Sequence, residues 1–238
     1  MIQTASYTDI GGRPANEDTV RLSARDGGRL CALVADGLGG HGGGAQASAA
    51  AAEVICSAWD GRADPAALTE WTRQANRKVL ALQTRQCAMK TTLVLLALEP
   101  GKAAWAHVGD SRLYHFVDGR LAFQTRDHSV AQIGVMLGEI TPDEIRFHED
   151  RSRVLRALGQ DEDLNVEAAE QPLAPGRHAF LLCSDGFWEY VLEPEMEATL
   201  ARASDPEDWI ARMRAYLKGR IPPDNDNNTA AAVWVDGE

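Results

Sequence analysis

Apolar residues recur with two different periods along the chain, and the changes of period divide it into elements. Leu30–Ala35 is a continuous apolar run, the pattern of a strand buried on both faces, and Asp36-Gly37 ends it. An Ala-rich helix is predicted from about Gly44 to Ala58. A second helix is predicted from Pro65 to Leu82, with Asp64 as N-cap and proline at the first helical position. Two successive helices make a helical hairpin, not a βαβ unit. Thr91–Leu98 and Lys102–Val108 flank Pro100-Gly101. Arg112–Val117 and Leu121–Gln124 flank Asp118-Gly119-Arg120. Both pairs read as β-hairpins, so the sheets are expected to be mainly antiparallel. Residues 130–159 are charged and helix-leaning. A connection of that length inside a domain points to a functional flap. Leu164–Ala169 and His178–Ser184 are strands again. Helices follow over Glu193–Ala203 and Asp205–Lys218, and Thr229–Val235 is the last strand. No element is assigned before Leu30. The residues alone reach an α+β, hairpin-rich fold.

Composition narrows the function classes. The chain has 238 residues, with 24 Lys+Arg against 35 Asp+Glu and a net charge of -11. That acidity argues against nucleic acid as a partner. No apolar run approaches the roughly 20 residues of a membrane span. Met1–Tyr7 lacks the basic and apolar parts of a signal peptide, so a cytoplasmic protein is expected. No repeat or linker interrupts the chain, and a single domain over residues 1–238 is expected. Cys31, Cys56, Cys87 and Cys183 form no CxxC pair and read as reduced core thiols. The six tryptophans read as core.

The chemistry lies in acids at strand ends: Asp36, Asp110, Asp185 and Asp226. A single Asp-Gly is usually a turn, and Asp118-Gly119 is read as nothing more. Asp36 and Asp185 differ because helix signals follow them. Carboxylates gathered at strand ends repel one another unless a cation neutralises them. An all-oxygen set favours a hard ion, Mg²⁺ or Mn²⁺. Two competing motifs fail. Gly37–Gly42 matches GxGxxG, but a second helix follows where a dinucleotide fold needs a parallel strand. Asp224-x-Asp226-x-Asn228 opens like an EF-hand loop, but Thr229 and Val235 stand where Gly and Glu are required.

Several segments together resemble the metal-dependent serine/threonine protein phosphatases of the PP2C (PPM) family, of bacterial type. They are Asp9–Asp18 with Arg13, Asn16 and Glu17; Val34–His41; Val108–Arg112; and Thr125–Ser129. Gly138–Pro142, Arg156–Gly159, Cys183–Glu189 and Asp226–Thr229 continue the series in the family's order. Each is weak alone, but in order they cover nearly the whole chain. The resemblance implies a four-layer αββα sandwich, two mainly antiparallel sheets flanked by helix pairs. It implies hydrolysis of phosphoserine and phosphothreonine on proteins by a water or hydroxide bridging two Mn²⁺ or Mg²⁺ ions. Asp36 would bridge the ions and the Gly37 carbonyl would bind one. Asp185 and Asp226 would bind the other. Glu17 and Asp18 would act at the rim through water. Asp110 would serve a third, weaker ion, shared with Asp185 and Glu189. Arg13 would hold the substrate phosphate, its planar fork matching two oxygens.

The alternatives for single residues are ordinary ones. Arg13 alone reads as a surface ion pair, and Arg112 as a partner of Asp110 or a loop brace. His107 reads as a satisfied strand histidine and His128 as a turn cap. There are departures from the family. Met89-Lys90 precedes Thr91-Thr92 where glycine is usual, and Lys90 would crowd the backbone or add positive charge. Leu38 stands where animal members carry a histidine, with His41 three residues on. Glu189 stands where Asp is commoner. The rival reading is a non-catalytic, metal-stabilised phosphoprotein-binding module. Phosphorylated proteins, a bacterial Ser/Thr kinase among them, are the expected partners of a monomer.

Overall fold

The structure is a computed structural model and describes residues 1–39 and 43–237. Its spine is the hairpin series anticipated from the sequence. β6 (Leu93–Glu99) and β7 (Lys102–Val108) pair through Pro100-Gly101, and β8 (Arg112–Val117) and β9 (Arg120–Gln124) through Asp118-Gly119. Asp118 and Gly119 both take positive φ, 49° and 82°, as a two-residue hairpin turn requires. The remaining strands are β1 (Gln3–Asp9), β2 (Thr19–Arg25), β3 (Arg29–Ala35), β10 (Glu167–Pro172), β11 (Gly176–Cys183) and β12 (Asn228–Gly237). One sheet runs β1-β12-β11-β8-β9 and the other β10-β7-β6-β3-β2, and every pairing is antiparallel. A two-residue ladder, β4 (Gly37–Leu38) with β5 (Lys90–Thr91), sits beside β3.

The alternation of β3 explains its unbroken hydrophobicity. Leu30, Ala32 and Val34 pack between the sheets against Phe180, Leu182 and Val233. Cys31, Leu33 and Ala35 point outward into helices α1 (Gly43–Ala58) and α2 (Pro65–Leu82). The other sheet is covered in the same way by α5 (Glu193–Leu200) and α6 (Pro206–Lys218), with Trp209 and Met213 against Tyr114, Phe116 and Trp234. Both faces of the central strands of each sheet are therefore dry. Each buried Val or Leu contributes about 1.5–3 kcal/mol of transfer free energy, which suffices without disulfides. The four-layer αββα expectation holds, and all six tryptophans are buried. The helix starts follow local chemistry. Asp64 and Asp205 accept from the backbone N–H of Ala66 and Asp208, each ahead of a proline.

The differences from expectation have physical causes. β1 and β2 are polar edge strands with one half-buried face, so they present no apolar run. Residues 130–159 hold only one α-helix, α3 (Val130–Leu137), which ends at Gly138 in the left-handed conformation. Beyond it lie a 3₁₀ turn at Pro142–Phe147 and irregular chain. Helix α5 stops at Leu200 rather than Ala203, and a one-turn helix, α4 (Asp185–Trp188), precedes it. β10 begins three residues later than predicted, because Leu164 packs under α2 outside the ladder. All four cysteines are free, but only Cys31 and Cys183 are core; Cys56 and Cys87 are half-buried.

Candidate active site

The antiparallel registers bring the acids together. Thr19 pairs with Ala35, Val34 with Val94 and Leu93 with Val108. In the second sheet Cys183 pairs with both Arg112 and Ala230, and Asp9 with Asn228. The starts of β2, β6, β8 and β12 and the ends of β1, β3, β7 and β11 therefore share one end of the sandwich. Asp18, Asp36, Asp110, Asp185 and Asp226 all stand within two residues of those strand ends. A cavity of about 430 Å³ opens there, lined by Arg13, Glu17, Asp36, Gly37, Asp110, Asp185 and Asp226 among others.

Backbone contacts hold each acid in place. Thr92 braces Asp36, its Oγ1 accepting from Asp36 N–H at 3.0 Å and its N–H donating to Asp36 O at 2.8 Å. Thr91 Oγ1 also donates to Asp36 O, at 2.9 Å. Asn227 ties the N-terminal loop to β12, accepting from Glu17 N–H and donating to Ile10 O and Ala15 O. Gly37 has no room for a side chain: a Cβ would lie 2.3 Å from Gly44. Gly186 is equally confined, at 2.1 Å from the Asn227 carbonyl. A Cβ on Gly44 would in turn meet both the Gly37 carbonyl and a Glu17 carboxylate oxygen at 2.6 Å. Those two oxygens thus converge on the start of α1.

The electrostatics of this end are unfavourable without a counter-charge. Burial raises Asp36 well above the usual carboxylate range, and Asp18, Asp185, Asp110 and Asp226 push it further. Asp110 and Asp185 are raised for the same reasons, burial first. Asp18 is pushed up to about 7 by burial, although Thr229 and Ser184 hydroxyls oppose the shift. Glu189 is pushed up to about 7, by burial and then by Asp185. Asp18 Oδ1 and Asp185 Oδ1 are buried with no hydrogen-bond partner. Crowded carboxylates, orphaned oxygens and an inward carbonyl together fit a hard divalent cation.

Not every residue lies where it was expected. Glu17 lines the cavity, but Asp18 is only 8 % exposed, below the rim rather than on it. Its Oδ2 accepts from Ser184 Oγ at 2.8 Å. Asp110 lines the cavity, whereas Glu189 lies beside it and accepts from Arg151 Nε at 2.9 Å. Arg13 borders the cavity and pairs with Asp226 at 2.8 Å, both groups about half exposed. Arg112 does not pair with Asp110. Its guanidinium makes a bidentate pair with Asp127 at 2.8 and 2.7 Å and lies 3.5 Å over Trp188. Trp188 Nε1 donates to Asp110 O at 2.9 Å, so Arg112 braces the loop at one remove. His128 Nδ1 accepts from Gly109 N–H, which caps the turn before Asp110. His107 is satisfied only at Nε2, by Arg126 O; its Nδ1 is an orphan. Lys90 pairs regularly with Leu38, forms no ion pair among the described residues, and is not among those lining the cavity. His41 lies outside the described residues. The roles of Thr92, Asn227 and Trp188 were not foreseen. They act through backbone bonds, which leave no spacing pattern to find.

Comparison with known proteins supplies the family. Residues 10–220 match the family Protein phosphatase 2C. The Listeria welshimeri serine/threonine phosphatase stp is 32% identical over 206 residues, 81% of each chain. Protein phosphatase PhpP of Streptococcus pneumoniae is 31% identical, with 100% of this chain and 99% of the relative covered. The Mycobacterium tuberculosis serine/threonine phosphatase PstP/Ppp superposes with a TM-score of 0.85 at 30% identity, over 100% of this chain and 99% of that one. The catalytic domain of PstP in complex with two manganese ions gives 0.83 at 28% identity, covering 99% of each chain. The chain belongs to the protein phosphatase 2C family. It is a metal-dependent serine/threonine phosphatase rather than a non-catalytic phosphoprotein-binding module, and phosphoproteins are its substrates. No helix among the described residues is long and apolar enough to cross a membrane.

Proposed function

We propose that the cavity at the acidic strand ends is the phosphatase centre and that the chain works as one catalytic domain. The observation that carries this is the set of crowded, mutually repelling acids, two of them with unpartnered buried oxygens, beneath a cavity bordered by Arg13. Asp36 and the Gly37 carbonyl would hold one divalent ion, with Asp36 shared to a second held by Asp185 and Asp226. Glu17 and Asp18 would complete the shell through water. Asp110 and Glu189 would serve a third, weaker ion. Mn²⁺ and Mg²⁺ both suit this set. When bound, such a pair of ions supplies an attacking oxygen at neutral pH and offsets the charge of the phosphate. The chain's own residues position the reactants. Arg13 leaves Asp226 and takes two phosphate oxygens in a fork. Thr91, Thr92 and Asn227 keep the acids in register. Residues 130–159 act as the flap: Ser152 and Val154 line the cavity and Arg151 reaches Glu189. A monomer in the cytoplasm, reversing a bacterial Ser/Thr kinase, is the setting this reading supports.

The test is turnover of p-nitrophenyl phosphate with Mn²⁺, with and without chelator. Chelator-sensitive turnover is expected; metal-independent turnover, or none, would overturn the reading. Arg13→Ala is expected to raise KM for a phosphopeptide about tenfold, roughly 1.4 kcal/mol, with kcat little changed. An unchanged KM removes Arg13 from phosphate binding.

A further inference from the structure

A second cavity adjoins the first. It encloses about 580 Å³ between α3 and the start of β10, and it is lined by Arg126, Ile133, Met136, Leu155, Arg156 and Glu167 among others. The two cavities share one segment of chain. Ser152 and Val154 line the phosphatase cavity, and Leu155 and Arg156 line the cleft. Val154 is pinned by a bridge to Ser129 at the start of α3. From Val154 to Arg156 the chain spans at most about 7 Å. The two cavities are thus walled by consecutive residues of one short segment.

The cleft is chemically unlike the rest of this surface. Five of the eight large exposed apolar side chains among the described residues lie between 130 and 159. Ile133, Met136 and Leu155, at 45%, 73% and 40% exposure, form the apolar wall of the cleft. Such clustering marks an interaction surface more often than chance exposure does. Arg126 and Arg156 are exposed on its rim, and neither forms an ion pair among the described residues. Other arginines are unpaired too, but here two border one cleft on a chain of net charge -11. The one opposing exposed acid, Glu167, already accepts from His128 Nε2 at 3.1 Å.

The floor is not a metal site, although His107, His128 and Glu167 place ligand atoms within 4.8 Å of one another. The Gly109 N–H donates to His128 Nδ1, so the proton of the neutral ring sits on Nε2. That nitrogen donates to Glu167 and has no lone pair to offer.

We propose that this cleft captures the stretch of substrate polypeptide flanking the phosphoresidue and selects for an acidic side chain next to an apolar one. The proposal rests on the phosphatase reading above. Arg126 and Arg156 meet the carboxylate with forked, charge-assisted hydrogen bonds. Ile133, Met136 and Leu155 take the apolar neighbour. Because the surface as a whole repels acidic peptides, selection depends on these local charges and weakens with salt.

The test compares phosphothreonine peptides that carry Glu-Leu, Ser-Ser or Lys-Leu beside the phosphoresidue. Each is assayed for kcat/KM alongside p-nitrophenyl phosphate, which is too small to reach the cleft. A preference of about tenfold for the Glu-Leu peptide is expected. Arg126→Glu/Arg156→Glu should transfer it to the Lys-Leu peptide, and Met136→Ser should weaken both leucine peptides, with p-nitrophenyl phosphate turnover unchanged. A structural defect would not reverse a charge preference. Anisotropy of the labelled peptides reads binding without turnover. Equal kcat/KM and equal binding across the peptides, with normal p-nitrophenyl phosphate turnover, would overturn the cleft but leave the phosphatase reading standing. Absence of metal-dependent turnover of every substrate, p-nitrophenyl phosphate and peptides alike, would overturn the phosphatase reading instead. A concentration-dependent dimer abolished by Met136→Ser would assign the cleft to a second copy of the chain and overturn the proposal.

Discussion

Asp36→Asn and Asp185→Asn are each expected to lower turnover at least about 1,000-fold, roughly 4 kcal/mol, while the chain stays folded. Both carboxylates lie at the floor of the cavity, and each replacement keeps size while removing the charge that would hold a divalent cation. Stability should move the other way. These acids are raised by burial and by one another, so the metal-free fold binds more protons than the unfolded chain. The contribution of these acids to metal-free stability therefore falls as pH rises from about 4, where the unfolded carboxylates titrate, to about 7, where folded Asp18 and Glu189 do. Removing one charge relieves part of that repulsion. Metal-free Asp185→Asn should melt at or above the wild-type temperature at pH 7.5, and Mn²⁺ should raise its Tm less. Circular dichroism melts with and without Mn²⁺, beside the turnover assay, check both halves. Full activity with Mn²⁺ would refute the assignment of these residues.

Arg112→Ala is expected to produce the largest loss of stability, about 3–5 kcal/mol. In a chain of this length that is a fall in Tm of about 10 °C. The guanidinium is buried, bonded twice to Asp127 and stacked on Trp188, so its removal strands the Asp127 charge in the interior. Glu193 also faces it, at 3.8 Å, and itself pairs with Arg146 of the flap. Adding Asp127→Asn should recover part of the loss, because the stranded charge is then gone. Urea melts of the two single variants and the double variant measure that coupling. Additive losses would mean the pair is not a unit. Turnover should fall too, since Trp188 holds the Asp110 carbonyl.

The central strands were legible because both of their faces are dry, so Leu30–Ala35 and Leu93–Leu98 carry unbroken apolar runs. The hairpins were legible because Pro100-Gly101 and Asp118-Gly119 are turn chemistry. Edge strands β1 and β2 were not, because one half-buried face leaves too few apolar residues to stand out. The flap was legible only as a long charged connection. Its irregular course after Gly138 is set by contacts such as Arg146 with Glu193 and Arg151 with Glu189, which join residues far apart in the chain.

The same division runs through the site. Local chemistry was enough to name Asp36, Asp110, Asp185 and Asp226, because they stand at the ends of apolar strands, and helix signals after Asp36 and Asp185 set those two apart from ordinary turns. Family resemblance added Arg13, Glu17, Asp18 and Glu189. Depth, bracing and partnership were decided only in three dimensions. Asp18 is buried because Ser184 and β12 close over it. Arg112 turns to Asp127 because a buried guanidinium needs a carboxylate in plane with its fork, and the strand beginning at Arg112 aims it away from Asp110. The cleft exists because one short segment lies between two cavities. Composition and spacing are properties of neighbours along the chain, and they determined the central strands, the main helices and the four acids at strand ends. The antiparallel register is a property of distant segments, and it alone decided which acids meet and what holds them there.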